Sequence, residues 1–345
     1  MPALAAIALL LAAIAANGAP ICEDKACAWP AALAHPIRRI EAWTGALTLP
    51  VEKRLGPASP ALIEYLTLDN IAQGFPERPR PASLPADFLA DVNAAIEELP
   101  APVKRALSKD FGGLYFVESL GGTGYTDYIR DGKRIVGAYV VLDATVLMKR
   151  SANEWATWKE NTPFTPDATH ALRAKIEASA QDSRRNAIQY ILLHELGHVM
   201  SAAADVHPSW GLRPKDVLMT EEYPYFQLSW RVDRTKDRYV SIFDGDFGER
   251  TQIVYYIGAK LRAADMASVY GKLEATNFPT LYAATNPGDD FAEAFANYVH
   301  VVLMKRPFEV EILDGGRSVR TYGPCWEEAR CAAKRRILEK LLGLP

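Results

Sequence analysis

The 345-residue chain carries little excess charge: 39 Lys+Arg stand against 42 Asp+Glu, a formal net charge of −3. Such a balance gives no global attraction to nucleic acid or to an anionic membrane, so no nucleic-acid partner is expected. Long apolar runs are also missing. The N-terminal stretch 3–16 has 14 residues, short of the roughly 20 that a membrane-crossing helix needs. No segment repeats at a fixed period, which excludes solenoids and propellers. Cysteine is scarce: Cys22, Cys27, Cys325 and Cys331 are the only four, and neither close pair has zinc-finger spacing with nearby His. At 49% apolar and 23% charged, the composition is that of an ordinary globular protein, not a disordered, collagen-like or multi-span chain.

Residues 2–16 (PALAAIALLLAAIAA) carry no charge, and Ala16, Asn17, Gly18 and Ala19 are small enough for a cleavage site. Residues 1–19 therefore read as a secretory signal peptide, although no Lys or Arg precedes the apolar run. Pro20 and Ile21 before Cys22 fit a lipid-attachment site poorly. The mature protein is expected to be periplasmic or secreted, with no membrane span once the signal is removed. Export would let the four cysteines form two disulfides. They allow three connectivities, of which local pairing (Cys22 with Cys27, Cys325 with Cys331) is the simplest.

Proline is concentrated at 75–85 (FPERPRPASLP), which favours an extended connector and a soft boundary. Residues 20–85 then form an N-terminal helical segment with its connector: a propeptide, a docking module or part of the fold. Residues 86–345 form the main domain. Helical spacing marks 87–99, 186–201, 286–304 and 326–342. The stretches 114–120 (LYFVESL) and 135–147 (IVGAYVVLDATVL) are strand-like. Between them, GGTGYTDYIRDGK suits a hairpin loop, and no Gly-Lys-Ser/Thr follows Gly121, Gly122 and Gly124 as a phosphate loop would require. Residues 239–256 suggest a strand and the start of a helix. Trp155 and Trp158 read as packing residues, and His35, His170 and His300 as surface or packing residues. The fold class is α+β, mainly helical with a small β-sheet.

The sharpest signal is His194-Glu195-Leu196-Gly197-His198. On a helix, residues i and i+4 share a face, so both imidazoles can reach one metal ion. Glu195 is placed to meet a water on the metal rather than the metal itself, as a general base requires. Two histidines still need a third protein ligand. Ser201 and Ala204 occupy the Gly and His positions of the extended metzincin pattern, which excludes that class. His207, beside Pro208, reads as a loop residue. The better source is 282–298 (YAATNPGDDFAEAFANY). Asn286 can cap a helix with Pro287 at its first position, and Asp289 and Glu293 then fall on one face. One acid can bind the metal while the other orients a ligating His. Asp289 is favoured as ligand, with Glu293 behind the histidine, and the reverse arrangement stays open.

These two segments resemble the gluzincin zinc peptidases of the anthrax lethal factor protease-domain group. The resemblance covers some 25 residues. It implies a zincin-like metallopeptidase domain in which His194, His198 and Asp289 bind Zn2+. Glu195 is then the general base, Glu293 supports a ligand, and Tyr282 stabilises the transition state. The chain departs from the group in two ways. An Asp stands where the group has Glu, and the 90 residues between His198 and Asp289 exceed the usual gap. An insertion at about 205–280 is therefore expected, with Trp210, Tyr223, Tyr225, Phe226 and Trp230 read as packing. The expected function is an exported zinc metallopeptidase acting on a peptide or protein substrate. That substrate would lie along an exposed strand edge, placed at residues 137–145. The rivals are a zinc-binding protein without turnover and a zinc hydrolase of a non-peptide amide, such as a cell-wall cross-link.

Overall fold

The computed structural model describes residues 22–256 and 258–345. The stretch 1–19, expected to be a signal peptide, lies outside the described residues. The fold mixes helices with small sheets around one five-stranded sheet. Its strands are β1 (Leu55–Pro57), β2 (Arg80–Pro81), β3 (Phe111–Glu118), β4 (Gly124–Asp131) and β5 (Arg134–Asp143). The order is β1-β3-β5-β4, with β2 pairing β3. β1, β3 and β5 run parallel, and β4 runs antiparallel to β5 at the edge.

Side chains alternate across this sheet, as strand geometry requires. Leu114, Phe116, Tyr128, Val140 and Leu142 enter the larger core. Val117, Ile129, Tyr139 and Val141 enter a second cluster on the other face. Helices α1 (Lys25–Ala34) and α2 (Pro60–Gln73) build that second cluster through Ala28, Leu62, Tyr65 and Leu66. Residues 22–85 are thus wired into the sheet by β1 and β2, and the proline-rich stretch returns as the β2 pairing. Helix α3 (Ala86–Glu97) buries Phe88, Val92 and Ile96 in the larger core, and α4 (Ala152–Asn161) opens with a Ser151–Glu154 capping box.

Two strand expectations need correction. Residues 124–131 are not loop: they form β4, and the hairpin turn is only Gly132-Lys133, with Gly132 at φ 58°. Four polar residues within the strand conceal its alternation. Residues 137–145 are not an open edge either. β5 lies between β3 and β4, consistent with its continuous apolar run buried on both faces. On this side of the sheet the edge strand is β4.

The metal-motif helix is α5 (Arg184–Ala203), capped by Ser183, whose hydroxyl accepts from the Asn186 N–H. It packs on the sheet and on α6 (Pro287–Tyr298), whose N-cap Asn286 accepts from the Gly288 and Asp289 N–H groups. Their backbones meet at Gly197, where an added Cβ would lie 2.7 Å from Ala292 Cα. Beyond α6 the chain continues as a π-helical stretch, Val299–Leu303. The stretch 205–280 contains short 3₁₀ turns, a two-stranded ribbon (Trp230–Asp233 with Arg238–Ser241) and the helix Met266–Glu274. The helix start expected near 256 is instead a 3₁₀ turn at Gly248–Gln252. The C-terminal helix α7 spans Ala332–Leu341, because residues 326–331 are looped beside the Cys325–Cys331 disulfide. The second disulfide joins Cys22 and Cys27. Among the described residues no helix is long and apolar enough to cross a membrane.

Two expectations follow from this packing. Gly197→Ala should destabilise the fold by about 1–3 kcal/mol through overpacking against α6, read as a lower urea midpoint at unchanged m-value. His300 is buried, and its Nε2 faces the Ile176 and Pro307 carbonyls. Burial lowers its pKa to about 4, against the opposing pull of those carbonyls. The unfolded chain therefore binds this proton near pH 6.5 while the folded chain does not. Stability should fall by roughly 3 kcal/mol per such group as pH drops from 6.5 to 4. His300→Gln, which keeps a donor, should flatten that slope in a urea-midpoint series against pH.

Candidate metal centre

Helix α5 presents His194 and His198 on one face, and the first turn of α6 brings Asp289 opposite them. Asp289 Oδ1 lies 3.7 Å from His194 Nε2 and 3.5 Å from His198 Nε2. These separations are long for hydrogen bonds. Ligand atoms about 2.1 Å from a tetrahedral ion lie about 3.4 Å apart, so the spacing suits three corners of such a site. The three side chains form a group that can hold a metal ion. Asp289 is held on its other oxygen: Oδ2 accepts from Asn286 Nδ2 at 2.6 Å and Thr285 Oγ1 at 3.1 Å. Asn286 thus caps α6 and aims its carboxylate.

Glu293, one turn on, faces the opposite nitrogen of His194. Its Oε1 lies 3.0 Å from His194 Nδ1 and 2.9 Å from Lys159 Nζ, and its Oε2 accepts from Thr280 Oγ1 at 2.7 Å. A proton on Nδ1 leaves the Nε2 lone pair directed at Asp289. Burial alone would raise the Glu293 carboxyl. The Lys159 ammonium and the His194 hydrogen bond outweigh it and hold the carboxyl well below the usual range. Lys159 is itself buried between Glu293 and Glu160, and these carboxylates keep it charged against the cost of burial. Glu160 accepts from the Tyr255 and Tyr270 hydroxyls.

Glu195 sits beside the histidines at the sheet edge. Its Oε2 accepts from Thr126 Oγ1 of β4 at 2.6 Å. Gly124 makes this approach possible, since a Cβ there would fall 2.3 Å from Glu195 Oε1. The Tyr282 ring stacks on His194 at 5.4 Å, and Lys159 Nζ lies 4.6 Å over that ring. Burial, then the Asp289 charge, pushes the Tyr282 hydroxyl well above its ordinary pKa, so it stays protonated and able to donate. A cavity of about 150 Å³ opens here between Gly124, Trp155, Glu195, Tyr256 and Tyr282.

The structure therefore brings His194, Glu195, His198, Tyr282, Asp289 and Glu293 into one site, with Asp289 rather than Glu293 facing both Nε2 atoms. His207 is buried nearby, but its Nδ1 turns to the Pro208 carbonyl, and it is not part of the metal-binding group. Trp155 lines the cavity as well as packing. Of the five aromatics in the long segment, Tyr225, Phe226 and Trp230 are buried, Tyr223 is partly buried, and Trp210 stands half-exposed, edge-on to His198 at 5.1 Å. Sequence reasoning missed Thr126, Lys159 and Thr280. Each reaches the site across a contact that no local motif marks. No family model, curated protein or solved structure matches this chain.

The protein should bind one divalent metal ion per chain, raising its thermal midpoint with metal concentration. Asp289→Ala should weaken that binding by about 100-fold or more, since it removes one of three protein ligands, as measured by competition with a chromogenic chelator.

Proposed function

We propose that the protein is an exported zinc-dependent metallopeptidase with a zincin-like, gluzincin-type site. The observation that carries this reading is the His194–His198–Asp289 triangle with Glu195 fixed beside it by Thr126. Two imidazoles and one carboxylate make a donor set that suits zinc. The same set also suits ferrous iron, but an ionisable Glu beside the ligands and a donating Tyr across from it are the parts hydrolysis needs. Export is supported by the two disulfides and the uncharged N-terminal stretch. The gluzincin resemblance rests on the two motif segments alone.

Zinc held by His194, His198 and Asp289 would supply Lewis acidity and acidify a water to a pKa of about 7. The remaining work falls to the chain. Glu195 accepts the proton of the attacking water and returns it to the leaving amine. Thr126 holds the Glu195 carboxylate in place for both transfers. The Tyr282 hydroxyl donates to the negative charge that develops on the substrate carbonyl oxygen. Glu293, charged through Lys159, fixes the tautomer and the ring plane of His194. The free edge of β4 can align an extended peptide beside Glu195 by backbone hydrogen bonds.

The test pairs zinc stoichiometry with casein hydrolysis. Wild type and Glu195→Gln should each carry one zinc, while hydrolysis in the variant should drop by about 10²–10⁴-fold. Retained hydrolysis in the variant would remove Glu195 as base. Absence of zinc in the wild type would remove the metal reading altogether. Zinc without hydrolysis in either protein would favour a binding protein or a hydrolase of another amide.

A further inference from the structure

Beside the metal centre, a groove of about 790 Å³ follows the outer edge of β4. One wall is α1, with Trp29 and Leu33 exposed at 45% and 53%. The other is the segment around Trp210, which stacks on Tyr128 at 4.5 Å. The groove is continuous with the site, because Thr126 lies in it and also holds Glu195.

The strand edge in this groove is open over a defined length. Asp143 N–H donates to Thr123 C=O, and Tyr125 and Asp127 stand opposite Val141 and Tyr139. The odd-numbered residues of β4 therefore pair with β5, and Gly124, Thr126 and Tyr128 turn their backbone groups outward. The Tyr128 N–H is already taken by Asp127 Oδ1. Beyond it the edge is closed, where Arg39 bridges to Arg130. Five residues, about 17 Å of strand, remain free for a guest chain.

A guest strand places alternate side chains on opposite faces. One set would join Thr126, Tyr128 and Trp210 on the metal side. The other set would join Tyr125 and Asp127 on the side where Arg38 lies. Arg38 is an uncommon feature there. Its side chain is only 15% exposed, and it makes no hydrogen bond among the described residues. Among the described residues its one ion pair is a 3.6 Å approach of Nε to Asp127 Oδ2. Its neighbour Asp127 is already engaged, taking the Tyr65 hydroxyl and the Tyr128 N–H, the Tyr125 and Tyr65 hydroxyls lie 3.3 Å apart, and the Tyr139 hydroxyl is buried without a hydrogen-bond partner among the described residues. A mostly buried guanidinium with unmade donors calls for a planar oxygen acceptor. Asp69 and Asp127 balance Arg38 and Arg130 along this stretch, so the acceptor can be charged or neutral.

We propose that this groove binds an extended peptide along β4, and that Arg38 recognises a carboxylate or carboxamide side chain on its face away from the metal. The inference rests on the peptidase reading of the adjoining site. It gives the N-terminal segment a task, since α1 and Arg38 would form half of the substrate cleft.

The test is a cleavage-site profile of the zinc-loaded full chain on a proteome-derived peptide mixture, read by mass spectrometry. Glu, Gln, Asp and Asn should be enriched at one alternating position for the wild type. Synthetic peptides with Glu or Gln there should lose about tenfold in kcat/KM with Arg38→Met, while Leu counterparts change by less than about twofold. Comparing Glu with Gln separates charge from planar acceptance. Arg38→Glu should move the preference to Lys at the same position, a shift that misfolding does not produce. A flat wild-type profile, or one unchanged by Arg38→Met, overturns the inference and leaves the peptidase reading standing. If no peptide is cleaved, the peptidase reading fails, and binding of the same fluorescent peptides decides. A tenfold weaker Kd with Arg38→Met supports Arg38 recognition, and equal binding overturns it.

Discussion

Gly197 lets the backbone of α5 touch that of α6, and the position of each candidate ligand follows from that contact. The histidines sit at the ends of the turn that contains Gly197, and Asp289 lies one turn before Ala292 on the facing helix. With the helices this close, a short carboxylate reaches the space between the two Nε2 atoms. The glycine of the motif and the aspartate of the second helix are thus two halves of one geometric choice. Close approach also removes water from behind the histidines, which raises the strength of every electrostatic contact there.

That dry layer is where charge is arranged. Glu293 and Glu160 flank Lys159, and all three side chains are buried. An unpaired charge in such a place would be lost to protonation. Here the ammonium keeps Glu293 ionised, Glu293 directs the proton of His194, and two tyrosine hydroxyls satisfy Glu160. The same negative surroundings act on Tyr282 with the opposite result. Burial and nearby carboxylates keep its phenol neutral, so a donor faces the cavity while an acceptor, Glu195, faces it from α5.

The parts of this arrangement that depend on local sequence were legible without coordinates. The 3.6-residue spacing around HELGH, the Asn286-Pro287 cap and the close cysteine pairs all express themselves within a few residues. What was not legible comes from contacts far apart in the chain. Lys159 meets Glu293 across 134 residues and Thr126 meets Glu195 across 69. β4 was hidden for a different reason: a strand at an open edge keeps polar residues on its solvent side, and its one glycine, Gly124, makes room for the Glu195 side chain rather than a turn. The proline-rich stretch is extended, with Arg80–Pro81 paired to β3; an extended segment can join a sheet as readily as link two bodies.

The pair Asp289-Asp290 shows how one short stretch ties the rest of the chain to the site. By sequence, both acids fit a helix N-terminus, where they favour the dipole. In the fold they point to different partners. Asp289 turns to the histidines, while Asp290 is fully buried and receives the Lys334 ammonium, the Trp230 indole N–H and the Tyr225 hydroxyl. Those three donors come from α7 and from the long segment that separates the two motifs. A buried carboxylate stripped of such partners costs several kcal/mol. The segment and the C-terminal helix are therefore held to α6 by a charge adjacent to the candidate ligand. That segment is not a loose appendage: it supplies Tyr225 and Trp230 to fix the helix and Trp210 to wall the groove. The anchor also explains why acid follows acid in this motif. The first residue would hold an ion, and the second keeps the helix that carries the first from shifting.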